Sequence, residues 1–503
     1  MTNLTYDEIP YASLVYADTH PNKLATLATL FGLTPPAVKT SRILELGCGD
    51  GTNLIAIAQT LPQAQCWGID AAIKQIQAGQ NQAKQLGLSN VKLTQLNLSE
   101  VDESFGIFDY IIAHGLYSWI TPALQDTLLS LCQRLLAPQG IVYISYNVYP
   151  GWHMENVVRD LMRYHTQQLP PVPFEISMKQ AKGIINFIAH LRQQSNMAFD
   201  LLLQEKTQLF KIATDNYLYH DFLELDNHPV YFHQFIQNAT QHQLAYVTDI
   251  EFRHYLMRSF PHQVVEALEE LFQGDFFKQE QYLDFFYNRT LRRSLLCHQT
   301  VPVQRNLHWE NITQCYIANA SQPVNSNFFQ TRAGETIAIK QPLTQIAMAY
   351  LATHYPRSLP FEELFQYAYQ QHFATEPNLP TLRANFAQEL LHLYCLEAIE
   401  FQIELPAFVT TLNSYPTASP LARYMVSQGQ QPVINLRCEF IHLDEVATAL
   451  LPHLNGQKNK STLLIVLKNL VKQRKIKLAP KEDIKLVLEK TLFELLQNAL
   501  LMA

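Results

Sequence analysis

The sequence predicts an α/β fold: a parallel sheet with helices on both faces and a helical insertion, followed by mainly helical middle and C-terminal domains. Three observations carry this. Strand and helix patterns alternate through 42–147, the order that builds a parallel sheet covered by helices on both faces. The first strand runs straight into a glycine-rich turn, Gly47-Cys48-Gly49-Asp50-Gly51. From 152 to about 213, and again beyond 440, apolar residues recur at helical spacing instead of alternating.

The elements follow in order. RILELG (42–47) reads as a buried strand and 52–61 as a helix; QCWGID (65–70) is the second strand, with a helix through 72–86. VKLTQL (91–96) and FDYIIAH (108–114) are two more strands. A helix over 122–137 stops at Pro138-Gln139-Gly140, and GIVYISYN (140–147) is the fifth strand. Helices then fill 152–213, broken at LPPVPFEIS (169–177), with the last two over 178–195 and 198–213. PVYFHQFIQNATQHQLAYVTDIEF (229–252) reads as a helix and a strand that resume the sheet. Residues 262–287 are helical and LRRSLLC (291–297) is a strand candidate. A polar stretch with irregular character runs from 299 to 336, and helices return at 342–354, 361–374 and 379–395. The Pro/Ser/Thr-rich segment 406–420 reads as a linker. Helical patterns at 442–453, 461–473 and 481–499 suggest a small domain of winged-helix type. The expected division is therefore 1–151 (core), 152–213 (helical insertion), 214–255 (rest of the core), 256–405 (middle domain) and 406–503 (C-terminal domain).

A chain of 503 residues is too long for one core. Its 48% hydrophobic and 16% charged residues are those of an ordinary globular protein, and a net charge of −7 argues against a general polyanion binder. The start, MTNLTYDEIPYAS, lacks a basic segment followed by an apolar one, so no leader is expected. No apolar run reaches bilayer-spanning length. Seven scattered cysteines without CxxC spacing point to reduced, buried thiols and a cytoplasmic location.

The chemistry concentrates in ILELGCGDGTN (43–53). A ligand lying against the backbone of a strand–helix turn requires residues without a Cβ, here Gly47, Gly49 and Gly51. The helix that follows presents free N–H groups and its positive dipole end, which suit a carboxylate. Asp70 ends the second strand, where a carboxylate can accept both hydroxyls of a ribose. The spacing is GxGxG, not the GxGxxG of nicotinamide-binding turns, and Glu45 stands two residues before the first glycine. This set points to S-adenosyl-L-methionine (AdoMet), with Glu45, Leu46, Gly47, Cys48, Gly49, Gly51, Asn53, Asp70 and Ala71 as candidate contacts.

Methyl transfer is an in-line displacement in which alignment is the main task, and aromatic faces stabilise the cation formed when an amine is methylated. Aromatics gather at the strand ends: Tyr117 and Trp119 in HGLYSWI, Tyr146, Tyr149 and Trp152 in SYNVYPGWH, with Tyr6, Tyr11 and Tyr16 near the start. Tyr11, His114, Tyr117, Trp119 and Tyr146 are the candidate catalytic residues, although packing alone would account for any one of them. Val148 follows Asn147, so the Asn-Pro-Pro-Tyr string common in methylation of planar nitrogens is absent. No HExxH metal motif and no GxSxG elbow occurs, so no metal site is expected.

The string 43–53 resembles the class I methyltransferase pattern, and that resemblance implies a Rossmann-like sheet, an adenine pocket at Asn97 and Leu98, and a cofactor contact from His114 beside the methionine. The family often carries an acid where Asn97 stands; the Asn carbonyl oxygen can accept the adenine amine's hydrogen bond instead. More narrowly, YDEIPY, THPNKLATLATLFG (19–32), ELGCGDGTN, HGLYSWI and YNVYPGWH together resemble the rickettsial-type lysine methyltransferases of outer-membrane proteins. NHPVYFHQFIQNA (227–239) and QYLDFFYNRTLRRSLLC (281–297) are similar to the methyltransferase regulatory domain found with them. SPLARYMVSQG (419–429) through LLPHLNGQKNKSTLL (450–464) is similar to their C-terminal domain. The resemblance implies lysine side chains of a protein as substrate and a homodimer formed through the helical insertion.

Two other substrates stay open on the residues alone. Nine of the 37 Lys and Arg fall within 458–485, which would suit an RNA methyltransferase, but base-stacking aromatics are not interleaved there. A small-molecule methyltransferase would need a closed pocket at the strand edge.

Overall fold

The computed structural model describes residues 4–11, 14–170, 172–192, 197–251, 262–305, 307–325, 327–331, 334–372, 379–478 and 482–502. Its central sheet has seven strands: β1 (Arg42–Leu46), β2 (Gln65–Asp70), β3 (Val91–Gln95), β4 (Phe108–Ala113), β5 (Leu136–Asn147), β6 (Leu244–Asp249) and β7 (Leu291–His298). They lie in the order β3-β2-β1-β4-β5-β7-β6. β1 to β5 pair in parallel, while β7 runs antiparallel between β5 and β6. β1 and β4 are buried almost without interruption because helices cover both their faces.

Preceding the sheet are α1 (Leu4–Glu8) and α2 (Pro21–Leu30). Between strands run α3 (Thr52–Thr60), α4 (Ile73–Gln85) and α5 (Pro122–Leu135). All nine residues of α3 are buried, which explains why IAIAQ shows no polar face. Its inner side meets the sheet and its outer side meets the C-terminal domain, where Ser419 Oγ donates to Gln59 Oε1 at 2.8 Å. α2 is likewise enclosed, between the sheet and the middle domain.

The insertion comprises α6 (Gly151–Gln167), α7 (Phe174–Leu191) and α8 (Ala198–Ile212), and α9 (Asp215–Phe222) packs with them around a small core of their own. α10 (Phe232–Gln241) leads into β6, and α11 (His262–Phe272) and α12 (Phe276–Tyr287) lead into β7. The expected end of the core at 255 is thereby corrected: β7 completes the same sheet, and the core reaches 298. Residue 255 itself lies outside the described residues. A buried ionic cluster ties this addition together. Arg292, wholly buried, bonds Asp284, Glu280 and Asp249, and Ser294 Oγ donates to Asp249 Oδ1 at 2.6 Å.

The stretch read as irregular, 299–336, contains short strands. β8 (Tyr316–Asn319) joins β12 (Leu359–Pro360) and β13 (Ile399–Gln402) in one sheet; β9 (Ser321–Pro323), β10 (Phe328–Thr331) and β11 (Thr336–Ala338) form another. Strands of three or four residues are too short to show a period. α13 (Pro342–His354), α14 (Phe361–His372) and α15 (Leu379–Cys395) fall where helical spacing placed them. The C-terminal domain holds α16 (Pro420–Ser427), α17 (Glu445–Leu450), α18 (Lys460–Lys472) and α19 (Ile484–Gln497). The 406–420 segment is packed, not loose: Phe408, Ala418 and Ser419 are buried, and Thr417–Ala418 pairs with Leu501–Met502. One continuous apolar cluster runs from the sheet through α2 and α3 into both later domains. Among the described residues no helix is long and apolar enough to cross a membrane, and all seven cysteines are buried free thiols.

Candidate active site

Strands β1 to β4 end along one edge, and the residues just past them, Gly47, Ala71, Leu96 and His114, line a cavity of about 370 Å³. The turn after β1 has Gly47, Gly49 and Gly51 at φ of 72°, 56° and 74°, a region that side chains with a Cβ avoid. Asp70 fastens the turn: its Oδ2 accepts Gly49 N at 2.8 Å and its Oδ1 accepts Ala72 N at 2.9 Å. Burial raises the pKa of this carboxyl, against the lowering effect of those amides.

Glu45 is 4% exposed. Its Oε1 accepts Asn53 Nδ2 at 2.8 Å, and its Oε2 is buried without a hydrogen-bond partner. Burial pushes the carboxyl up to about 8, the bond from Asn53 notwithstanding. Asn53 Oδ1 in turn accepts Tyr16 N at 2.9 Å. His114 lies between Tyr16, whose ring centroid is 3.6 Å away, and Tyr143, whose hydroxyl is 2.8 Å from Nδ1. Burial, helped by Arg293, lowers the imidazole to about 3, so it is neutral at physiological pH.

The far wall comes from the N-terminal segment and α9. Tyr6 stacks on His220 at 4.5 Å and Tyr11 stands 5.6 Å from the same ring. The segment is clipped down at both ends. His220 Nε2 meets Ile9 O at 2.7 Å, Asn216 Nδ2 donates to Pro10 O at 3.0 Å, and Lys74 N donates to Asp7 Oδ1 at 2.9 Å. Among the described residues the lining contains five carboxyl groups, Glu45, Asp50, Asp70, Glu224 and Asp226, and no Lys or Arg.

Of the candidates from the sequence, Glu45, Gly47, Cys48, Gly49, Asn53, Asp70, Ala71, Asn97, Leu98, His114, Tyr11 and Trp119 line this cavity. Asn97 N and Nδ2 both bond Glu100 Oε2, at 2.8 and 3.1 Å. Leu46 does not reach the lining, being wholly buried in the core under the turn. Gly51 sits behind the turn as the N-cap of α3, where a Cβ would come within 2.7 Å of Leu93 Cδ1. Tyr117 and Tyr146 are corrected: each is 1% exposed and packs against Phe235 of α10, away from the cavity. Their hydroxyls are engaged by Asn238 and Ser294. Once β6 and β7 extend the sheet, α10 covers the face they point to. His220, Glu224 and Asp226 were not anticipated; the acidic and aromatic string YLYHDFLELD (217–226) was the available signal.

Three family models match the chain: "Methyltransferase domain" over 37–209, "Predicted methyltransferase regulatory domain" over 214–298, and "PKMT, C-terminal winged helix domain" over 414–501. The second of these ends at β7, where the sheet ends. One uncharacterized protein of Rickettsia prowazekii is 39% identical over 307 residues, 61% of this chain; the chain spans 55% of that relative's length. Another from the same organism is 38% identical over 239 residues, 47% of this chain and 94% of the relative. Among solved structures, PKMT2 from Rickettsia typhi is 25% identical with a TM-score of 0.86, covering 98% of this chain and all of its own. Its complex with AdoHcy gives a TM-score of 0.85 over the same spans.

Proposed function

The chain belongs to the family of AdoMet-dependent methyltransferases that join a regulatory domain and a PKMT-type winged-helix domain to the catalytic sheet, and on that footing we propose that it methylates lysine side chains of a protein substrate. The carrying observation is the lining: the carboxylates Asp50, Asp70, Glu224 and Asp226 with several aromatic rings and, among the described residues, no Lys or Arg. Such a cavity attracts an ammonium and repels a phosphate backbone. That weighs against RNA, whatever the lysines of 458–485 do on the surface; Lys481 lies outside the described residues.

Two observations fit AdoMet to these residues. Glu45 Oε2 is a buried acceptor without a donor, and the positive-φ glycines leave backbone where a Cβ would stand. Gly47 and Gly49 would admit its close approach, Asp70 would hold the ribose while bracing the turn, Asn97 and Leu98 would border the adenine, and Glu45 with Asn53 would receive the amino-acid end. AdoMet supplies an electrophilic methyl on a sulfonium. Glu224 and Asp226 draw the substrate ammonium to the mouth, and the low-dielectric interior favours its loss of a proton. Tyr11, Tyr16 and Trp119 then align the amine and face the cation that forms. Neutral His114 holds the Tyr16 ring in place.

The exposed apolar side chains of the insertion, Tyr164, Leu191, Leu201 and Ile212 among them, support a homodimer through α6 to α8. The buried thiols support work in the cytoplasm. Incubation of the purified chain with tritiated AdoMet and a lysate tests the substrate class. Label released by protease and indifferent to nuclease is the expected result. Nuclease-sensitive label would return the assignment to RNA, and label in the protein-free filtrate would return it to a small molecule.

A further inference from the structure

A second cavity, about 590 Å³ against 370 Å³ for the first, lies where the catalytic, middle and C-terminal domains meet. Its walls come from the turn Ala17–Thr19 and α2, from β13 and the loop after it, and from the 436–439 turn. Methyl transfer as derived above makes no use of it.

Arg437 marks this cavity. Its side chain is 8% exposed, and Nη1 reaches Glu400 Oε2 at 3.3 Å. The guanidinium is held over the rings of Phe408 and Tyr355, at 4.8 and 5.2 Å. Nε and Nη2 are buried and donate to no acceptor. Those two atoms form the edge of the guanidinium that matches both oxygens of a carboxylate, and leaving such donors unmade is costly. The turn that carries Arg437 is itself fixed. Asn435 Oδ1 accepts Arg437 N and Glu439 N, each at 2.9 Å.

The complementary group is on the same lining. Glu404 Oε1 accepts Val38 N at 2.9 Å, whereas its buried Oε2 accepts no hydrogen bond and Lys39 Nζ stands off at 3.8 Å. An unmade donor pair and an unmade acceptor call for one ligand with a carboxylate and an ammonium. A bare phosphate suits the lining less, since Asp18, Glu400, Glu404 and Glu439 outnumber Lys23, Lys39 and Arg437.

The wall shared with the first cavity is a single 3-10 turn. Ala17, Asp18 and His20 face the second cavity while Tyr16 faces the first. Through Tyr16 N and Thr19 the turn is bonded to Asn53, which holds Glu45. Asp18 is also paired with Arg293, beside β5. A displacement of this turn moves both walls together.

We propose that the second cavity binds a zwitterionic small molecule of amino-acid chemistry, its carboxylate on Arg437 and its amino group toward Glu404, and that occupancy alters AdoMet affinity through the turn Ala17–Thr19. The coupling rests on the reading of the first cavity as the AdoMet site, so binding is measured first without AdoMet. The full chain is titrated by calorimetry with glycine, methionine, lysine and glutamate, with acetate and inorganic phosphate as comparison probes. At least one amino acid is expected to bind with a Kd below about 1 mM, and acetate and phosphate roughly tenfold or more weakly than that. The bound amino acid shifts the AdoMet Kd by roughly three- to thirtyfold, and AdoMet shifts the amino acid's Kd by the same factor.

Arg437→Gln is expected to lose the amino acid while keeping the wild-type AdoMet Kd measured without it. Glu404→Gln is expected to bind amino acid and acetate equally, and it decides the matter should the Arg437 variant melt early. The proposal is overturned by any of three results: no amino acid binding up to about 10 mM, binding that persists in both variants, or binding that leaves AdoMet affinity unmoved. An AdoMet Kd too weak to measure, with amino-acid binding intact, would instead defeat the reading of the first cavity.

Discussion

The two walls of the first cavity are made in opposite ways. One is the turn after β1, where residues 45–53 and the ends of β2 and β3 present backbone and carboxyl groups beside the apolar Ile69, Leu96 and Leu98. The other is an assembly of Tyr6, Tyr11 and Tyr16 with His220, Glu224 and Asp226, joined across some 200 residues of chain. The first wall depends on conformations that few residues can adopt. The second depends on a strap held by α4 and α9, so its chemistry can change by substitution without disturbing the sheet. Under the proposed function the methyl donor lies on the first wall and the acceptor on the second.

The largest effect that would break this contrast is expected at the turn. Gly49→Val puts a branched residue at φ 56° with Gln75 Oε1 already 3.0 Å from the site of a Cβ. AdoMet affinity should fall on the order of 100-fold or more, a loss of about 2.7 kcal/mol. Asp70→Ala, which also releases Gly49 N, should approach the same loss. Unchanged calorimetric affinity in both variants would remove the turn from the site.

Tyr11→Ala sharpens the contrast from the other side. Methyl transfer to a lysine peptide should slow roughly ten- to fiftyfold, with AdoMet affinity moving by less than about threefold. A parallel loss of AdoMet affinity would merge the two walls into one.

A smaller effect is expected in pH dependence. The Glu45 carboxyl, raised to about 8, keeps a proton in the folded chain that the unfolded chain loses near the ordinary carboxylate range. Stability of the free protein should therefore fall as pH rises from about 4.5 to about 8. A cation seated beside Glu45 favours the ionised form. AdoMet binding should thus release up to about one proton near neutral pH and tighten several-fold between about pH 6 and pH 8. Calorimetry in buffers of differing ionisation enthalpy measures that proton, and Glu45→Gln should abolish it. Release persisting in the variant assigns the proton elsewhere.

The smallest effect concerns the tyrosines that sequence placed at the site and the fold took away. Tyr146→Phe removes the 3.0 Å bond to Ser294 and should cost about 1 kcal/mol in urea unfolding, leaving the rate of methyl transfer unchanged. A slowed reaction without lost stability would return Tyr146 to catalysis.

Legibility followed locality. The five parallel strands and the helices between them stood in the sequence because each was long enough to show its period. Asp70 was legible because it follows the turn at the spacing of one strand–helix–strand unit. β7 was legible as a strand but not as part of the main sheet, since insertion between β5 and β6 depends on Arg292, Asp249 and Glu280 meeting from three separate elements. The short strands of 316–338 pair with partners that no period in so few residues could announce.

What the chain by itself determined is the cofactor turn. Positive φ at 47, 49 and 51 is a demand on individual residues, and glycine meets it wherever the fold places it. The tertiary structure alone decided which aromatics lie beside the cavity. Tyr143 and Tyr146 share β5 at odd separation, so they point to opposite faces of the sheet. Both are wholly buried, and only the layers packed there set Tyr143 against His114 of the cavity lining and Tyr146 against α10.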